Sequence, residues 1–181
     1  KFTVSNLAHR FTSLVANKIL EHHPEASVGV DMYNVFRDPP TDPRIRYDSR
    51  VRGLYCPHQR CYVHRLDDPK SDCNTKFFEQ ITAWQKLLPR IGIYDYYSVA
   101  HSPYAPMEYV LAEDMKCYQR IGLDYWTEDA CNASPMMASN WPFYYVAAKM
   151  LWDASLDVNA LIEAGGAINV DGKGYAGGAG G

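Results

Sequence analysis

The sequence predicts an α/β fold, a partial TIM-type β/α barrel (a half barrel) with about four parallel strands. Two observations predict it. Four short apolar runs alternate with amphipathic helical segments, the pattern in which helical crossovers cover a parallel sheet. The chain has 181 residues, whereas a closed eight-stranded barrel takes roughly 250, so half the strands of such a barrel are expected.

Taken in order, the segment from Ser5 to His23 repeats Leu7, Phe11, Leu14, Val15 and Ile19 at helical spacing, and Pro24 follows its end. Ser27 to Asn34 is a short run with β-branched residues and is read as the first strand. Residues 35–50 hold three prolines and several charges and predict a loop. Val51 to Cys56 is the second strand, followed by a long polar connection. Phe77, Ile81, Trp84 and Leu88 share a helical face closed by Pro89, and Ile91 to Tyr97 forms the third strand. Met107, Leu111, Met115 and Tyr118 mark the next helix, and Gly122 to Glu128 the fourth strand. A helix capped by Asn140, with Pro142 in its first turn, runs through Val146, Met150 and Leu151. Ser155 is a cap for a last short helix through Val158, Leu161 and Ile162. Trp84 and Trp152 fall on helical faces and are expected in the core. Residues 1–163 thus form the half-barrel domain. Eight of the twelve glycines lie from Gly165 onward, so residues 164–181 are expected to be a flexible tail.

Composition narrows the function. A net charge of -3 and an isoelectric point near 6.1 give no electrostatic reason to expect nucleic acid or an anionic membrane as partner. No apolar run approaches the roughly 18 residues of a membrane span. Five cysteines are too few for a disulfide scaffold and their odd number prevents complete internal pairing. The cysteines leave the compartment open, with the periplasm or the cell exterior favoured over the cytoplasm. Nothing resembles a phosphate-cradling glycine loop, a serine-nucleophile elbow or a zincin helix, and no cofactor is expected.

Chemistry is expected at the carboxyl ends of the strands, where side chains and following loops converge in barrels. Those ends carry Asp31, Tyr33 and Asn34, then Tyr55, Cys56 and His58. They continue with Asp95, Tyr96 and Tyr97, and with Trp126, Glu128 and Asp129. Acids and aromatics therefore recur at equivalent places. Glycoside hydrolysis uses two carboxyl groups about 5–9.5 Å apart, and neighbouring strands lie about 4.8 Å apart. Glu128 is the expected general acid, Asp95 its partner and Asp31 a third candidate. Tyr33, Asn34, His58, Tyr97 and Trp126 are expected to bind the sugar by stacking and hydrogen bonds. The expected activity is cleavage of O-glycosidic bonds in a polysaccharide or oligosaccharide. The alternative is a non-catalytic glycan-binding half barrel.

A second constellation, Cys56, His58, Cys61, His64 and Cys73, has zinc-ligand residue types without zinc-site spacing. A Cys61–Cys73 disulfide pinning the long loop is the competing reading, and a zinc-stabilised structural module is a third function class. No metal ligand is assigned.

Several stretches resemble a bacterial family of domains of unknown function, family 4838, found in proteins related to α-glucuronidases and β-hexosaminidases. They are Leu54 to His58, Cys73-Asn74 through Phe77 to Trp84, Ile93 to Tyr96 with Pro103 and Pro106, Gly122 to Glu128, and Ala148 to Asp153 with Asp157-Val158. The resemblance implies a glycosidase-like TIM-barrel domain of which this chain is the C-terminal half. Asp95 matches the family's Asp-Tyr position and Glu128 its acidic position after the late strand. A half barrel leaves two sheet edges with unpaired backbone groups, and a homo-oligomer is expected.

Overall fold

The computed structural model describes residues 3–97, 107–128 and 140–170, with side chains through Gly165. The elements run α1 (Val4–His22), β1 (Gly29–Met32), a 3₁₀ turn (Asn34–Phe36), β2 (Arg52–Tyr55), α2 (Asp72–Trp84), β3 (Arg90–Asp95), α3 (Glu108–Arg120), β4 (Trp126–Glu128), α4 (Trp141–Trp152) and α5 (Val158–Val170). The strands form one all-parallel sheet in the order β1-β2-β3-β4. An order without reversal is that of a β/α barrel wall, in contrast to a doubly wound sheet with its switch point. The fold is α/β, consistent with a partial barrel.

Side chains alternate across a strand, and the register aligns that alternation over the sheet. Val30 and Met32, Gly53 and Tyr55, Ile91, Ile93 and Asp95 point into the helical layer. There they meet Leu20, Phe77, Ile81, Trp84, Leu88, Leu111 and Met115, all in one buried cluster. Burying each such large side chain contributes about 1.5–3 kcal/mol. α2 starts at Ser71, whose hydroxyl accepts the Asn74 N–H, and buries Phe77, Ile81 and Trp84 as its sequence pattern predicts. α3 ends at Gly122, whose φ of +72° is the left-handed conformation glycine adopts without strain. The Leu123 N–H then reaches back to the Tyr118 carbonyl at 3.0 Å, turning the chain into β4.

The first helix departs from its pattern. The apolar residues that mark it, Leu7, Phe11, Leu14, Val15 and Ile19, point to solvent, with Phe11 70% exposed. Its inner face is largely polar, with Ser5, Asn6, His9 and Ser13 buried ahead of Ala16 and Leu20. The reason is the β1–β2 connection, a loop with no ladder of its own, whose backbone groups need partners. Asn6 accepts the Thr41 N–H at 2.8 Å, a His9 ring nitrogen lies 2.7 Å from the Phe36 carbonyl, and Asn17 binds the Arg46 carbonyl and the Asp48 N–H at 2.8 Å each. Burial holds His9 below its ordinary pKa, against the pull of the Phe36 carbonyl.

Two further expectations change. Trp152, expected in the core, is 92% exposed, because α4 turns Phe143, Val146, Ala147 and Met150 inward instead. Ser155 does not cap the last helix: it binds Asp153, and the Asp157 carboxylate accepts the Ala160 N–H at 2.9 Å. α5 continues past Glu163 to Val170, and residues 171–181 lie outside the described residues.

Candidate functional site

At the carboxyl ends of β1 to β3 the two faces of the sheet carry different chemistry. On the face away from the helices lie Asp31, Leu54 and Gly92, and one step beyond them Tyr33, Cys56 and Tyr94. Asp31 is exposed, while Tyr33 and Tyr94 are half-buried. Their rings join His58 and Tyr96 in one group. Tyr33 stacks on Tyr96 at 6.5 Å between centroids, and His58 sets its edge on Tyr96 at 4.9 Å. Tyr33 lies 5.7 Å from His58, and Tyr94 5.2 Å from Tyr96. Tyr96 is the packed base of the group, hydrogen-bonded to Cys56, whose thiol burial pushes up to about 12. Tyr125 lies across the same face, its hydroxyl donating to the Gly53 carbonyl at 3.1 Å. Gly92 makes room for that ring: a Cβ there would fall 2.4 Å from it. The result is a partly exposed aromatic floor with one solvent-facing carboxylate.

The helix side of the same strand ends is closed. Asp95 and Arg60 have side chains with no exposed surface. The Arg60 guanidinium binds both Asp95 oxygens at 3.2 Å and reaches Asp114 on α3 at 2.7 Å. Tyr62 and Tyr118 donate to Asp95 at 3.0 and 2.7 Å, and the Tyr96 N–H adds 3.1 Å. Tyr97 and the Leu66 N–H donate to Asp114. One cation faces two carboxylates, so the surplus negative charge is met by three phenol donors and two backbone N–H groups. Burial holds the Asp114 carboxyl above its ordinary pKa even with Arg60 beside it, and holds the Tyr97 and Tyr118 phenols well above theirs.

The expected site residues divide between the faces. Asp31, Tyr33 and His58 are on or at the rim of the open face. Asn34 follows in the 3₁₀ turn, exposed and at φ 50°, a conformation Asn tolerates. Asp95 and Glu128 stand opposite each other in the ladder and so share a face, the helical one. Glu128 is half-buried and its charge acts on Tyr62. Tyr97, expected as a stacking platform, is fully buried between Tyr62 and Phe143. Trp126 lines a groove with Tyr118, Leu123, Met150 and Trp152, also on the helical side. Asp129 lies outside the described residues.

The model of a domain of unknown function, DUF4838, matches residues 3–164. The chain belongs to this family. No curated protein and no solved structure matches the chain. In this DUF4838 domain the sequence reading missed Arg60, Tyr62, Asp114 and Tyr118. One signal was available: Asp114 sits inside the apolar stripe of Leu111, Met115 and Tyr118, where an acid requires a buried partner. Among the described residues no group of three or more His, Cys, Asp or Glu side chains is arranged to hold a metal ion. None of the described helices is long and apolar enough to cross a membrane.

Proposed function

We propose that this domain binds carbohydrate on the face of its sheet away from the described helices, at the carboxyl ends of β1, β2 and β3. The observation that supports this reading is the ring group of Tyr33, His58, Tyr94 and Tyr96 beside the exposed Asp31. A sugar presents C–H patches to an apolar plate and hydroxyls to acceptors at its rim, and this arrangement offers both. Calorimetric titration with a panel of neutral and uronic-acid oligosaccharides tests it. Tyr33→Ala and Tyr94→Ala should each weaken binding about tenfold, or about 1.4 kcal/mol, while Asp95→Asn leaves affinity unchanged. Wild-type affinity in both tyrosine variants overturns the proposal.

Glycoside hydrolysis is the second reading, favoured by the ladder pairing of Asp95 with Glu128. Strands about 4.8 Å apart put two such carboxyl groups near the catalytic range of about 5–9.5 Å. Against it stands the closure of Asp95 by Arg60, Tyr62 and Tyr118, which leaves no oxygen facing solvent. Release of chromophore from aryl glycosides that is abolished by Glu128→Gln would favour hydrolysis, and full activity in Glu128→Gln, Asp95→Asn and Asp31→Asn would sink it.

The partner proposed for the rest of the surface is a second copy of the chain. β1 and β4 are sheet edges among the described residues, and α1 shows its apolar stripe to solvent, features that favour association. Light scattering at micromolar concentration should give at least the dimer mass, and a stable monomer would overturn this.

A further inference from the structure

The loop between β2 and α2 carries a group of side chains that neither face of the sheet uses. Cys61 Sγ lies 3.2 Å from His64 Nδ1, and the same sulfur meets the backbone N–H groups of Val63 and His64. Asn74, fully buried, fixes this turn. Its side-chain oxygen accepts the Cys61 N–H at 2.9 Å, and its amide nitrogen reaches the carbonyls of Cys61, His64 and Arg65 at 2.9, 2.9 and 3.0 Å. A single side chain therefore holds the thiol, the imidazole and both N–H groups in one geometry.

Partial burial works against a thiolate here, but the His64 hydrogen bond, the two N–H groups and the His64 charge outweigh it, and the Cys61 thiol lies below its ordinary pKa. The contact with the Cys61 sulfur raises His64 in turn. Solvent reaches the turn: Cys61 and His64 are half-buried and Val63 between them is 79% exposed. Cys56 and Cys117, by contrast, are buried, and burial pushes each thiol up to about 12. The remaining described cysteine, Cys73, is exposed in the first turn of α2, one residue before Asn74, with its sulfur 3.7 Å from the Gln59 carbonyl. Nucleophilic thiols are those with thiolate character and access, and susceptibility to oxidation follows the same two properties.

We propose that Cys61 is a site of oxidative modification, at which its sulfur takes an oxygen from a hydroperoxide and Cys73 then closes the product to a disulfide. In the first step the thiolate attacks one peroxide oxygen. The O–O bond breaks, hydroxide or alkoxide leaves, and the sulfur, having given up two electrons, becomes a sulfenic acid. In the second the Cys73 sulfur attacks Cys61, an S–S bond forms, and the sulfenic oxygen leaves as water with the Cys73 proton.

Competitive labelling of the folded full chain with iodoacetamide at about pH 7, read by peptide mass spectrometry, tests the nucleophile. Cys61 should react at least about fivefold faster than Cys73 despite being less exposed, and His64→Gln should bring the two within about twofold. Equal rates in the wild type, or an unchanged Cys61 rate in His64→Gln, overturn the proposal. Stoichiometric hydrogen peroxide tests the second thiol. It should give a Cys61–Cys73 linked peptide, and in Cys73→Ser a dimedone adduct on Cys61. Linkage of Cys61 to Cys131, or over-oxidation of Cys61 with Cys73 left free, overturns the assignment of Cys73.

Discussion

Tyr94 and Asp95 are consecutive residues of β3 and lie on opposite sides of the sheet, and their surroundings differ in every respect that matters to a ligand. Tyr94 belongs to a partly exposed ring group with an open carboxylate, Asp31, nearby. Asp95 belongs to a buried cluster in which each oxygen already has donors from Arg60, Tyr62, Tyr118 and the Tyr96 backbone. Residue types are the same on both sides, tyrosines and aspartates at the carboxyl ends of strands. What separates a partly exposed surface from one that ties loop to helix is the parity of the position along the strand and whether a counter-charge arrives from the next loop. The closed side fixes the β2–α2 loop to β3 and α3. His58, at the rim of the open side, stands two residues before Arg60 on the same loop.

The comparison is broken most severely by Arg60→Met. Two buried carboxylates lose the guanidinium that binds them both, and removal of one partner from a buried ionic cluster costs about 3–5 kcal/mol, read as a lowered urea midpoint. A loss below about 1 kcal/mol would mean that the desolvation cost of the cluster cancels most of what its ion pairs contribute. Gly92→Ala probes the other side. Its Cβ would lie 2.4 Å from the Tyr125 ring, so the ring must leave the sheet and its bond to the Gly53 carbonyl is lost. Overpacking of this kind costs about 1–3 kcal/mol, and sugar affinity should fall with it. An unchanged denaturation midpoint would show that the ring swings away freely.

The smallest effect is a slope. Burial raises the Asp114 carboxyl above its ordinary value of 3.8, so the folded protein holds that proton more tightly than the unfolded chain. The group's stabilising contribution is fully present below the unfolded value and is lost as pH rises through the folded one. Asp114→Asn removes the titration, so its stability should fall less than the wild type's as pH rises from about 4 towards neutrality. Parallel stability–pH curves would refute this origin for the slope.

Much of the architecture was legible because it is periodic. Apolar spacing located the helices and strands, and Pro24 marked the end of α1, while Gly122, read as the start of the fourth strand, is the turn that precedes it. The face of α1 was not legible, because periodicity shows that an apolar stripe exists and is silent about what covers it. Here the polar stripe satisfies a neighbouring loop's backbone, and that loop has no pattern of its own. The site was legible in part for the same reason. Acids and aromatics at strand ends were visible, but separating Tyr33 from Tyr97 required knowing which side each strand end presents. Arg60 was hidden by its context, a polar loop in which a basic residue is ordinarily solvated. Gln59 before it adopts φ 70°, a left-handed turn that helps carry Arg60 inward and that no residue preference announces.

Asn74 has a consequence beyond shaping one turn. Its side chain belongs to the first turn of α2, so the cradle around the Cys61 sulfur exists only while that turn is wound and docked. A thiol-labelling rate at Cys61, followed through increasing denaturant, should therefore fall towards that of an ordinary exposed thiol as this helix start opens. The protein carries its own site-specific gauge of partial unfolding.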